Sequence, residues 1–277
     1  MMNRTHQPTA DRSAFTLKDL VAAIAAISMI AMVQLPLLAR NEEGSSSATC
    51  RNNLRHLAQA WLMYAEDNAG ELVPNQGNVF SIQTWAAGWM DYTASPDNTN
   101  TTYLVNPELH GGMTGLLGPY LQRNPRWFRC PSDRSTITIF GREHSRVRSV
   151  SMNSWMGGNA YCGQGSNFKE YRELSEIATP ASRFVFIEER PDSINDGWHP
   201  MRMQDENLVD YPGFFHSSGA WISFADGHVE HRRWTDPRMI PAYSVNELLP
   251  LQVPMPDNAD LVWLKERTTD PVPQPAP

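Results

Sequence analysis

The chain lacks an excess of basic charge. Its 23 Lys and Arg stand against 30 Asp and Glu, for a net charge of −7 over 277 residues. Phosphate binding needs a basic face, so the balance argues against nucleic acid as a partner. Cysteine is scarce as well. Cys50, Cys130 and Cys162 are the whole set, and none sits in a Cys-x-x-Cys pair. Zinc ribbons and thioredoxin-like redox sites are therefore poorly supported, and an odd count leaves at least one thiol unpaired within a monomer. There is no phosphate-cradling glycine loop, no nucleophile elbow, no Ser-His-Asp order and no internal repeat. The adjacent Glu188 and Glu189 do not by themselves make a glycosidase pair. Nothing in the sequence points to an enzyme.

What the chain does have is one long apolar run. Residues 20–38 carry no charge, and a run of that length reads as a membrane span. Arg4, Arg12 and Lys18 precede it, and Glu42 and Glu43 follow it. The positive-inside bias places the N-terminus in the cytoplasm and the remainder outside. A cleaved secretory signal needs a shorter apolar core followed by a small-residue site, whereas Pro36-Leu37-Leu38-Ala39-Arg40 stands here. A plain signal anchor is the simplest alternative.

After a polar joint at 40–47, apolar residues fall at Cys50, Leu54, Leu57, Trp61 and Ala65. Those steps of four and three define one helix face. Asn68-Ala69-Gly70 is a stop signal. One bent helix over 15–68 follows, about 80 Å long at its usual rise. The stretch 71–127 is dense in Gly, Asn, Thr and Pro, with Trp and Tyr interspersed, and reads as loops and short elements. Residues 148–153 and 183–189 read as strands. Residues 220–234 read as a hairpin turned at Asp226-Gly227, with both turn residues expected at positive φ. The richer apolar side of that hairpin is expected to pack on the helix carrying Leu54, Leu57 and Trp61. Residues 254–277 hold six prolines and read as an extended tail, disordered at its end. The expectation is an α+β fold in four parts: a leader at 1–14, a transmembrane and then amphipathic helix at 15–70, a loop-rich head with a small antiparallel β-sheet at 71–250, and a Pro-rich tail at 251–277.

Two sets of residues carry a resemblance. Ala14-Phe15-Thr16-Leu17-Lys18-Asp19 resembles the prepilin-type cleavage and methylation segment, in which a basic leader is cut before a Phe. The resemblance implies a pilin-like fold and cleavage between Ala14 and Phe15 by a prepilin peptidase. It gives Asp19 the role of the acid that neutralises a neighbouring subunit's amine, and Pro36 that of the helix-kinking proline. Two departures stand out: Ala14 replaces the usual Gly, and Asp19 replaces Glu. Downstream, His216, nine residues and then Asp226-Gly227 resemble the His-x9-Asp-Gly region found beside such leaders. The segments around Cys130, Met152 and 192–197, and the helix from Cys50, also resemble this family. The implied role is a structural, pseudopilin-like subunit of a type II secretion or type IV pilus-like assembly, with membrane and other pilin-like subunits as partners. The alternative is a membrane-anchored envelope module that binds glycan or protein and never assembles.

Three smaller questions attach to sites. His216, His228, His231 and Asp226 would make a metal site if they converged, but His228 and His231 fall on opposite sides of a strand. The plainer reading gives Asp226 and Gly227 the turn, with His216 satisfying backbone groups. Asp192, Asn195 and Asp196 are oxygen ligands in a Gly-containing turn. Similar pseudopilins hold a head loop with calcium, and the competing reading is an Asx turn. Cys50 on the apolar helix face and Cys130 at the turn expected to dock there are the expected disulfide, leaving Cys162 over.

Overall fold

The face set by Cys50, Leu54, Leu57, Trp61 and Ala65 is buried along its whole length, at 1% exposure or less. It belongs to α1 (Leu17–Asp67). Between these residues Arg51, Asn52, Arg55, His56 and Gln59 are exposed, as the 3.6-residue repeat requires. The stop at 68–70 works as the residue types suggest: Asn68 Nδ2 donates to the Tyr64 carbonyl, and the Gly70 amide donates to that of Ala65. The computed structural model describes residues 17–75, 82–158 and 167–273. Before Gly44, side chains are described only for Leu17, Leu20, Val21 and Ile24, all exposed. The chain divides between Gly44 and Ser45. Among the described residues no helix is long and apolar enough to cross a membrane, and most side chains of 20–38 lie outside that set. Ala14, Phe15 and Cys162 lie outside it too, as do the side chains of Asp19 and Pro36.

From Ser45 onward the protein is mixed α and β, with a largely β body. Its strands in chain order are β1 (Thr136–Ile139), β2 (Arg142–Ser145), β3 (Val150–Asn153), β4 (Phe184–Glu188), β5 (Trp198–His199), β6 (Asn207–Leu208), β7 (Gly219–Phe224), β8 (Val229–Arg233) and β9 (Val253–Pro254). Short helices α2 (Thr102–Val105) and α3 (Ala259–Glu266) complete it. One five-stranded sheet runs in the order β5-β3-β4-β7-β8. Its pairs are antiparallel except β3 with β5, which is parallel. The head sheet is therefore not purely antiparallel, as the sequence reading has it.

The register of β4 on β7 shifts between Phe184 and Phe186. The bulge lets Val185 and Phe186 both join the cluster built on Leu54, Leu57 and Trp61, together with Trp85, Phe128 and Ala225. Phe184 and Ile187 join a second cluster on the other side, with Ala220, Ile222, Phe224, Tyr211, Leu261 and Leu264. This reverses an expectation. The apolar side of the hairpin, Ala220, Ile222 and Phe224, packs with α3 and not with α1. The helix side of the hairpin carries Trp221, whose Nε1 donates to Ser47 Oγ at 3.0 Å.

The expected tail is likewise part of the body for most of its length. Asn258 caps α3 by accepting from the amides of Asp260 and Leu261. Leu261 and Leu264, three apart on one face, are buried in the second cluster. Residues 274–277 lie outside the described set.

The hairpin tip also differs from the two-residue turn that Asp-Gly suggests. The Gly227 amide donates to Phe224 O, and the Phe224 amide donates to His228 O. Only Gly227 has positive φ, at +88°. The tip is thus a three-residue loop in which a turn over Ala225 and Asp226 ends in a left-handed Gly, which forms the bulge.

Candidate functional site

Glu188 and Glu189 are consecutive at the end of β4 and serve opposite faces of the sheet, as alternation dictates. Both are buried, at 1% and 0% exposure. Each anchors its own cluster.

On the Glu188 side stands the motif histidine. His216 Nε2 lies 3.4 Å from Glu188 Oε1 and 3.4 Å from Cys130 Sγ. Cys130 is bonded to Cys50, with their Cα atoms 5.2 Å apart. The disulfide ties α1 to the segment that follows Phe128, and Asn53, one turn on, donates to the carbonyls of Arg126 and Arg129. Glu188 Oε2 accepts the amide of Trp221, so the same carboxylate also holds β7. The His216 ring does not satisfy backbone groups, as the sequence reading supposes. Instead its backbone does so, with the carbonyl accepting from the Gly219 amide and His231 Nε2.

Asp226 is a turn residue: its Oδ1 accepts from the amide of His228 at 3.1 Å and pairs with Nδ1 of the same ring. That ring stacks on Phe224, with centroids 4.4 Å apart. Asp226, His228 and His231 do not converge on His216, so these four are not one ligand set.

On the Glu189 side a second group gathers. Ligand atoms of Glu189, His199 and Asp210 all lie within 4.8 Å of one another. β5 supplies His199, and the parallel pairing of Asn153 with His199 sets it beside β3. Glu189 is held by two hydroxyls: Ser151 Oγ donates to Oε2 at 2.5 Å, and Ser193 Oγ to Oε1 at 2.9 Å. His199 Nδ1 is 3.9 Å from Glu189 Oε2, too long for a hydrogen bond. Neither ring nitrogen of His199 has a hydrogen-bond partner, and neither does Asp210 Oδ1. Burial drives the Asp210 carboxyl well above its usual range, and the charges of Glu189 and Asp196 push it further. Asp196 is pushed up to about 6, again by burial first. Arg148 is buried and pushed down to about 10 by desolvation, which the charges of Asp196 and Glu189 partly offset. A cleft of about 260 Å³, lined by Trp89, Asn195, Asp196, Trp198 and Val209, reaches Asp210 of this group.

In the turn at 192–197 both acids have protein partners. Arg190 grips Asp192 through Nε at 2.5 Å and Nη2 at 2.8 Å, and the Ser244 amide donates to the same carboxylate. Asp196 Oδ1 accepts the Trp198 amide two residues on, which is the Asx geometry. The Asn195 carbonyl accepts the Met90 amide. Arg146, buried beneath the turn, donates to the carbonyls of Pro191 and Ile194.

Sequence reasoning passes over Glu189, His199, Asp210 and Arg148 as site residues. The one available signal is a pair of acids closing an apolar strand, Phe184 to Ile187, where a buried carboxylate demands a reason. A comparison with protein families, curated proteins and solved structures finds no match.

Proposed function

We propose that the chain is a pilin-like structural subunit, held in the inner membrane by 20–38 before assembly into a type II secretion or type IV pilus-like fibre. In this reading prepilin peptidase cuts between Ala14 and Phe15, Asp19 meets a neighbour's amine in low dielectric, and Pro36 relaxes the helix within the bundle. The role is architectural and not catalytic. The observation that carries the reading is the use made of α1. Its stretch after Ser45 seals one side of a β-sheet with a continuous apolar face, and Cys50–Cys130 locks it there. A helix that follows directly on the leader motif and ends in the head's core suits a subunit that must transmit lateral contacts to its membrane segment.

Mass spectrometry of the N-terminus tests this. In cells with a prepilin peptidase the mature chain should begin at a methylated Phe15, and in cells without it at Met1. An intact Met1 in both would sink the proposal and leave the anchored, non-assembling module.

That second reading has one observation in its favour. A cleft of about 400 Å³ is lined by Phe214, Phe215, Tyr243, Arg134 and Pro191. Phe214 and Phe215 stack with centroids 5.5 Å apart. Aromatic faces beside a guanidinium suit a sugar ring or an extended peptide. Glycan-array binding lost in Tyr243→Ala would favour it.

A further inference from the structure

The group around Glu189 carries an inference that does not depend on the structural role proposed above. His199 is 0% exposed and hydrogen-bonded through neither ring nitrogen, and Asp210, at 1%, has Oδ1 without a partner. Burying a polar atom with no partner is costly, and two such side chains on adjacent elements need a common explanation. Their ligand atoms face each other and Glu189 within 4.8 Å. Glu189 is oriented by Ser151 and Ser193, which is how a liganding carboxylate is usually steadied by the groups behind it. Acidic groups also outnumber the guanidiniums here, three to two. Glu189, Asp196 and Asp210 are three carboxylates in one buried space. Arg148 faces them with Nε and Nη2 unbonded, and Arg146 is committed to the Pro191 and Ile194 carbonyls.

We propose that Glu189, His199 and Asp210 form a binding site for a transition-metal dication, with zinc as the first choice. An imidazole nitrogen with two carboxylate oxygens suits zinc, or failing that manganese, whereas calcium takes oxygen ligands alone. The cleft between Trp89 and Trp198 gives the ion its way in, and Asp196 on its wall steers a cation toward the three ligands. The ion would join β4, β5 and the segment before Tyr211, so it would act as a rivet between the sheet and the loops beside it. The site is separate from the His-x9-Asp-Gly motif, whose His216 sits on the Glu188 side of the sheet.

The test uses the purified full chain, stripped with a chelator and titrated by calorimetry with zinc, manganese and calcium chlorides in turn. Elemental analysis after gel filtration gives the retained metal. The expected result is one zinc per chain and a higher melting temperature, with manganese weaker and calcium without effect. Asp210→Asn, close in shape, and His199→Ala should each lose the zinc. Asp226→Asn, in the exposed turn, should keep it. A wild-type chain that retains no zinc overturns the proposal, and so does an Asp210→Asn variant that is folded by circular dichroism and binds as well as the wild type. Calcium bound in preference to zinc overturns the assignment of the metal. If His199→Ala does not fold, the wild-type titration and Asp210→Asn decide.

Discussion

Nε2 of His216 lies 3.4 Å from Sγ of Cys130, which puts the motif histidine against the bond that ties the helix to the head. The same nitrogen reaches Glu188, and Glu188 reaches the Trp221 amide. Helix, disulfide, histidine and hairpin thus form one connected unit beneath the sheet.

Replacing both Cys50 and Cys130 by Ser should destabilise the body by about 4 kcal/mol, because the bond closes a loop spanning 80 positions. Urea unfolding of the variant and the wild type measures this. A midpoint that does not move would mean that the disulfide stores no stability.

His216→Ala should cost about 2 kcal/mol, since it removes a buried ring packed between Glu188 and the disulfide and leaves a cavity there. Glu188→Gln in the same background should recover part of that loss, as the two changes meet at one contact. Strictly additive losses in the double-mutant cycle would contradict the coupling.

Two glycines should fail for different reasons. Gly219→Ala would drive a Cβ to 2.2 Å from the Arg232 carbonyl oxygen, across the β7–β8 pair, and should unfold the hairpin. Gly227→Val meets only Leu62, at 3.4 Å, but must hold φ near +88°. It should cost on the order of 2 kcal/mol in strain and leave a folded chain. Thermal melts that rank the two the other way would refute this account of the tip.

Asp260 should make α3 sensitive to acid. Burial works against its charge, but the amides of Asp236 and Thr235 and the Arg232 guanidinium outweigh burial and hold its carboxyl below the usual 3.8. A folded-state value below the unfolded one contributes stability above about pH 4, and that stability is lost as the pH falls through 3.8 toward the folded value. Asp260→Asn should therefore melt lower than the wild type at pH 7, and the gap should close as the pH falls through the folded-state value. A gap that stays constant with pH would show that the ionised carboxylate is not the anchor.

The parts legible from sequence are those with a local period. The face from Cys50 to Ala65 and the strands 183–189 and 220–234 follow from spacing alone. The hairpin tip was half legible: Asp-Gly marks the turn, but the same pair serves a two-residue turn and a bulged three-residue one. The side on which the hairpin packs is not legible, because the bulge at Val185 and the cover from α3 are both tertiary facts. Prolines masked α3, although Asn258, Asp260, Leu261 and Leu264 spell a cap and one apolar face. Glu189, His199 and Asp210 come from three separate segments, and no spacing within the chain joins them.

The cover that α3 lays on Ala220, Ile222 and Phe224 has a consequence for how the protein is made. A ribosome finishes the hairpin at Arg233, yet the outer side of that hairpin is not fully covered until Leu261 and Leu264 emerge some thirty residues later. Until then the nascent chain presents a sticky, half-finished sheet, the kind of surface that holding chaperones grip. Closure is thereby postponed to a late moment in synthesis, and an incomplete chain stays pliable for as long as it remains incomplete.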